Sequence, residues 1–206
     1  MQPKEVSAHP EATIAESQYS LADIGRRKAK PIRWVIFTGA ALLATILPYW
    51  FGRTLALNHT AGVLRLVSAI DPRGIALISW TVTLVGLVGI GMSIVEYSAW
   101  FWRIVFVIGL AAEQLIAGLC LLKINFWYST YVVYQQSAVL ANAANLGILA
   151  AISAMGIFAV LFVAILIAVK KDSPWNALTH SWSAFTMFFI IELAAILIVL
   201  FGGLIN

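Results

Sequence analysis

The chain has 206 residues, 62% of them hydrophobic and only 11% charged, with a mean hydropathy of +0.93. Soluble domains run about half apolar and about a quarter charged, so a water-facing globular protein of this length is excluded. The net charge of +4 does not point to nucleic acid, because five basic residues (Arg26, Arg27, Lys28, Lys30, Arg33) crowd just ahead of the first apolar run, where they suit anionic lipid.

Residues 1–33 form a polar and basic N-terminal tail. Glu5, Glu11, Glu16 and Asp23 are spread among Ser, Ala and Pro, and apolar sequence begins only at Trp34. A secretory signal passes at once from a short basic region into an apolar one, so this tail does not read as a signal. Low hydrophobicity with scattered charge does not drive folding alone. The tail is expected to order only against a neighbour.

Residues 34–206 read as a transmembrane helical bundle. Five apolar runs cover approximately 34–51, 75–97, 104–127, 148–169 and 182–205, the fourth with a possible earlier start near Ala138. A helix of about 20 residues crosses a hydrocarbon core of about 30 Å. The runs are continuously apolar, whereas barrel strands alternate. The fold class is therefore all-α: a polytopic integral membrane protein with five transmembrane helices.

Between the first two runs, Val63, Leu66, Val67 and Ile70 recur at helical spacing. A short amphipathic outer helix over 60–70 is expected, stopped by Asp71-Pro72-Arg73-Gly74, with a loop packed on the bundle as the alternative. "SAWFWR" (98–103) reads as a tight inner hairpin, and 170–180 as an inner loop. The stretch 128–147 either extends helices three and four or caps the outer face. Its Asn142 and Asn145 are candidates to satisfy exposed helix ends or to contact a partner on the outer side.

Orientation follows from basic residues. With the N-terminus inside, the cytoplasmic side carries the five tail residues, Arg103, Lys170 and Lys171, against Arg53, Arg65, Arg73 and Lys123 outside. That bias predicts a multi-pass protein with its N-terminus cytoplasmic and its C-terminus outside.

No catalytic, haem or metal constellation emerges. His59 and His180 fall on opposite membrane faces, so they do not pair on a haem. Cys120 is the only cysteine, which rules out an intrachain disulfide and a multi-thiolate cluster. The glycines of 85–91 lack the Lys and Ser/Thr of a phosphate loop. No cofactor is expected beyond bound lipids.

The packing signals are small residues. Ser79, Thr83, Gly86 and Gly89 line the second run, and Gly147, Ala150, Ala151 and Ala154 the fourth. Small residues about four apart let membrane helices approach closely.

Four polar residues stand as candidate intramembrane contacts or proton sites: Glu96, Glu113, Gln114 and Glu192. Glu96 lies near an interface, within reach of Arg103. Glu113 and Glu192 sit near mid-membrane, where an ionised carboxylate costs about 3 kcal/mol on insertion scales. Gly109, Ala117 and Cys120 share the Glu113 face; Phe188, Ala195 and Val199 share that of Glu192. Gln114 points about 100° from Glu113 and is expected to serve another contact. The two glutamates either face each other, sharing a proton, or face apart, each with its own cationic or amide partner on another chain. The second arrangement is favoured.

Two functions compete. The first is a non-catalytic accessory subunit of a respiratory, photosynthetic or transport complex, embedded in the bilayer among other integral membrane subunits and without nucleic acid as partner. The second is a small proton or cation transporter using Glu113 and Glu192. The two halves of the chain show no repeat, which gives no support to an inverted-repeat transporter.

Overall fold

The computed structural model describes residues 31–95, 99–169, 173 and 181–205. The expectations for the tail, Glu96, His180 and most of the 170–180 loop lie outside these residues. Every regular element described is helical: α1 Pro31–Asn58, α2 Thr60–Val67, α3 Pro72–Val95, α4 Ala99–Leu119, α5 Phe126–Tyr134, a 3₁₀ turn at Gln135–Ser137, α6 Ala138–Ala168 and α7 Ser181–Phe201. Helices α1, α3, α4, α6 and α7 are each long and apolar enough to cross a membrane. The chain is an all-α, multi-pass membrane protein.

Several boundaries differ from the sequence expectation. Helix α1 continues through Pro48 to Asn58. Asp71-Pro72-Arg73-Gly74 does not merely stop α2; it starts α3. Pro72 occupies the first helical position, where its missing N–H is harmless, and the Asp71 carboxylate accepts the Arg73 backbone N–H at 2.8 Å. The "SAWFWR" hairpin is shorter than expected, since Ala99 to Arg103 already form the first turn of α4. On α2 the half-buried residues are Thr60, Val63, Leu64 and Val67, while Leu66 is 81% exposed. The inward face is thus rotated from the expected Val63–Leu66–Val67–Ile70 stripe.

The third span ends well before 127. Leu122 N–H bonds to Ala117 C=O (2.8 Å) and Leu121 N–H to Gly118 C=O (3.2 Å), with Leu121 at φ +53°. This is a Schellman closure with leucine where glycine is usual. A left-handed leucine costs roughly 1–2 kcal/mol, offset here because Leu121 is buried against Ala56, Tyr134, Ala138 and Ala141. Residues 126–134 then form a separate short helix, so the stretch after α4 is a cap-like element followed by an extended α6.

The five long helices pack chiefly in the order α1, α4, α3, α6, α7, as a row staggered enough that α4 also touches α6 and α3 touches α7. Glycines set three of its crossings. A Cβ on Gly52 would meet the Leu115 carbonyl, and one on Gly118 the Tyr49 carbonyl, so α1 and α4 touch backbone to backbone. A Cβ on Gly109 would lie 3.0 Å from Gly86 Cα, where α4 meets α3. A Cβ on Gly147 would meet the Ala76 carbonyl, where α6 meets α3. Such close approach lets dispersion contacts hold helices together where lipid removes the hydrophobic drive.

Hydroxyls on the lipid-exposed faces are satisfied internally. Thr45, Thr54, Thr81 and Thr186 each donate to the carbonyl four residues back, at 2.8–2.9 Å. A polar group in hydrocarbon requires such a partner.

Candidate functional site: two buried carboxylates flanking one helix

Helix α3 positions both candidate sites. Its neighbour α4 runs antiparallel to it: Phe106 lies by Gly89, and three residues later Gly109 lies by Gly86. One turn further along α4 comes Glu113, level with the Val82–Thr83 turn of α3. On the other side, Gly147 draws α6 against Ala76 and Trp80. From the same stretch of α3 the Trp80 indole N–H donates to Glu192 Oε2 at 3.0 Å. Glu113 and Glu192 therefore occupy similar depths in the row.

They do not face each other. Glu113 belongs to α4 and Glu192 to α7, and α3, which touches both helices, stands between them. A helix is about 10 Å across, whereas a shared proton needs oxygens within about 3 Å. The two carboxyls make separate sites.

Each site has one neutral donor. Glu113 is buried, as are Gly109 and Ala117 on its face. Its hydrogen-bond partner among the described residues is Gln114, whose amide donates to Oε2 at 3.3 Å. Gln114 was expected to serve a different contact; its long side chain instead reaches back around the helix to its neighbour. Glu192 has 0% exposure, with Phe188, Ile196 and Val199 buried on the same side of α7. Its Oε1 finds no hydrogen-bond donor among the described residues. The expected partner on another chain does not hold for Glu192, because full burial inside this chain leaves no surface for one and Trp80 is its donor.

The hydroxyls of α3 do not serve the carboxylates. Thr83 donates to the Ser79 carbonyl (3.0 Å) and Ser79 to the Ile75 carbonyl (2.9 Å). Neither carboxyl meets a described cationic side chain at ion-pair distance. The Arg103 guanidinium stacks instead on Trp34 at 4.3 Å and Phe37 at 5.4 Å. Two carboxyls with single neutral donors are chemically able to hold a proton each or to bind a small cation stripped of water.

No family model, curated protein or solved structure matches this chain. The functional reading therefore rests on its own geometry. Among the described residues, no three His, Cys, Asp or Glu side chains gather to hold a metal ion.

A second polar cluster closes the end of α4. The last carbonyls of a helix lack intrahelical donors. Here Tyr134 hydroxyl donates to Leu119 C=O, Asn145 Nδ2 to Cys120 C=O at 2.8 Å, and Tyr49 hydroxyl to Leu122 C=O at 3.3 Å. Asn145 has 0% exposure, so it satisfies a helix end of its own chain rather than presenting a surface to a partner. Asn142 is half-buried, its side-chain oxygen accepting from the Thr130 hydroxyl at 2.7 Å. Trp80, Tyr134 and Tyr49 were missed by sequence reasoning. The one available signal was chemical: an aromatic with a polar tip inside a span needs a partner.

Proposed function

We propose that this chain is a non-catalytic integral membrane subunit whose helix row docks laterally against the spans of another membrane protein, in a respiratory, photosynthetic or transport complex. The observation that carries the reading is the shape of the array. Among the described residues the extensive packing of α1 on another long helix is that on α4, and its other side presents Val35, Leu42, Leu43, Ile46, Leu47 and Trp50 along most of its length, all exposed. An end helix packed on one side leaves an apolar face ready for other helices as well as for lipid. Glu192, Asn145 and Tyr134, by contrast, are buried and hydrogen-bond within this chain.

Purification from native membranes in mild detergent tests the proposal. A subunit co-purifies with an integral membrane partner in fixed ratio, and the pair survives size-exclusion chromatography. Recovery as a stable lone species, with no partner crosslinked in intact membranes, overturns it.

A second reading, a small proton or cation transporter, is favoured by one specific observation. Among the described residues Glu192 keeps an oxygen without a donor at full burial, an arrangement that suits transient occupation by a proton or ion. Glu192→Gln in proteoliposomes separates the two readings. Abolished ion flux with normal assembly supports transport; unchanged flux, or none in either protein, removes it.

A further inference from the structure

A cavity of about 150 Å³ lies where five elements converge at the α2/α5 end of the row. Val63 and Val67 of α2 form one wall, Ile75 and Ser79 of α3 another, with Ile116 of α4 and Ala141 of α6 closing it; Tyr134 of α5 also borders it. Packed helices leave few gaps larger than a water molecule, so a partly open recess of this size between five elements is room for the end of an apolar chain.

The lining defines the chemistry of that occupant. It contains no charged residue, and its polar side chains are Ser79, Cys120, Tyr134 and Ser137. Ser79 spends its hydroxyl on the Ile75 carbonyl and Tyr134 on the Leu119 carbonyl. A buried water needs two to four polar partners, and an apolar void of roughly this size stays dry while admitting a benzene-sized apolar guest. The cavity is also partly open, and α2 forms its roof as a single eight-residue helix whose half-buried Val63, Leu64 and Val67 face the space. We propose that this cavity is a binding site for the end of a flexible hydrocarbon chain, gripped beneath α2 with any polar headgroup left outside. The chain belongs either to a bilayer phospholipid or to a free apolar molecule of the isoprenoid-alcohol type; the chemistry inside the cavity is the same.

Photolabelling of the full chain in phosphatidylcholine vesicles tests this site. One vesicle set carries phosphatidylcholine with a diazirine near the acyl-chain end, and a second carries a diazirine-bearing isoprenoid alcohol. Adducts mapped by mass spectrometry are expected on Val67, Ile75 and Leu140. Ala141→Phe fills the space and is expected to remove those adducts while leaving labelling of the lipid-exposed Leu43 and Ile46 unchanged. Leu140→Ala widens the space and is expected to raise labelling of Val67 and Ile75, which guards against misfolding of the filled variant. Labelling by the phospholipid probe identifies a bilayer acyl chain as the source, and labelling by the alcohol alone identifies a separate apolar ligand. Cavity adducts no stronger than background with both probes, or unaltered by both variants, overturn the proposal.

Discussion

The indole nitrogen of Trp80 on α3 lies 3.0 Å from the carboxylate of Glu192 on α7, linking two helices whose residues are 112 positions apart. Glu192 has no other hydrogen-bond donor among the described residues. Trp80→Phe therefore leaves a fully buried carboxyl without any donor. The expected loss is about 1 kcal/mol, near the upper range for polar contacts between membrane helices. Glu192→Gln retains an oxygen for the indole and is expected to cost less. Unfolding in mixed detergent and denaturing micelles gives both values; equal losses would refute the specific role of the indole.

The α3–α6 crossing depends on the missing side chain of Gly147. A methyl at this position runs into the Ala76 carbonyl and reaches within 3.1 Å of the Trp80 backbone nitrogen. Gly147→Ala is expected to destabilise by roughly 1–3 kcal/mol through forced separation of the two backbones. Gly156 lies on the same helix with nothing within 4 Å of its would-be Cβ. Gly156→Ala is expected to be neutral or to stabilise by about 0.4–1 kcal/mol, since alanine restricts the unfolded chain. Thermal unfolding in one detergent compares the pair, and the opposite ranking would overturn the crossing.

Tyr134→Phe removes the hydroxyl that caps the Leu119 carbonyl while keeping the ring in its packed site. A lost cap leaves a buried acceptor unmet, at about 1 kcal/mol. The effect is local: amide exchange of Cys120 and Leu122, which bond to Ile116 and Ala117 carbonyls, is expected to accelerate, while exchange in the middle of α6 stays unchanged. Uniform acceleration across the chain would indicate global loosening instead of a frayed helix end.

Orientation in the membrane is tested separately. In a Cys120→Ala background, Arg73→Cys is expected to react with an impermeant thiol reagent added to intact cells, and Ser173→Cys only after permeabilisation. The expectation follows from the excess of basic residues assigned to the cytoplasmic side. Labelling of position 173 from outside would invert the topology.

The Arg103 guanidinium lies over the Trp34 ring at 4.3 Å, a cation–π contact where α1 and α4 begin. Arg103→Gln is expected to cost about 0.5–1 kcal/mol, and Arg103→Lys less than that. The same unfolding titration reads this difference.

The helical class, the number of spans and the two intramembrane carboxylates were legible in the sequence. Lipid forces every span to satisfy its backbone internally, so continuous apolar runs admit one structure. The small faces around Gly86, Gly109 and Gly147 were legible for the same reason, because their spacing follows helix geometry. The partners were not legible. Nothing local marks Trp80 as the donor to Glu192, or Tyr49 and Asn145 as caps for α4, since these contacts join residues 112, 73 and 25 positions apart. The early end of α4 at Leu119 was equally hidden. Leu121 carries no breaking signal, and its left-handed backbone is held by burial against residues of α1, α5 and α6. Sequence alone determined that two costly carboxyls lie in the membrane; only the order of helices in the row decided that they stand apart, because periodicity assigns a residue to a helix face but not the neighbour that face will meet.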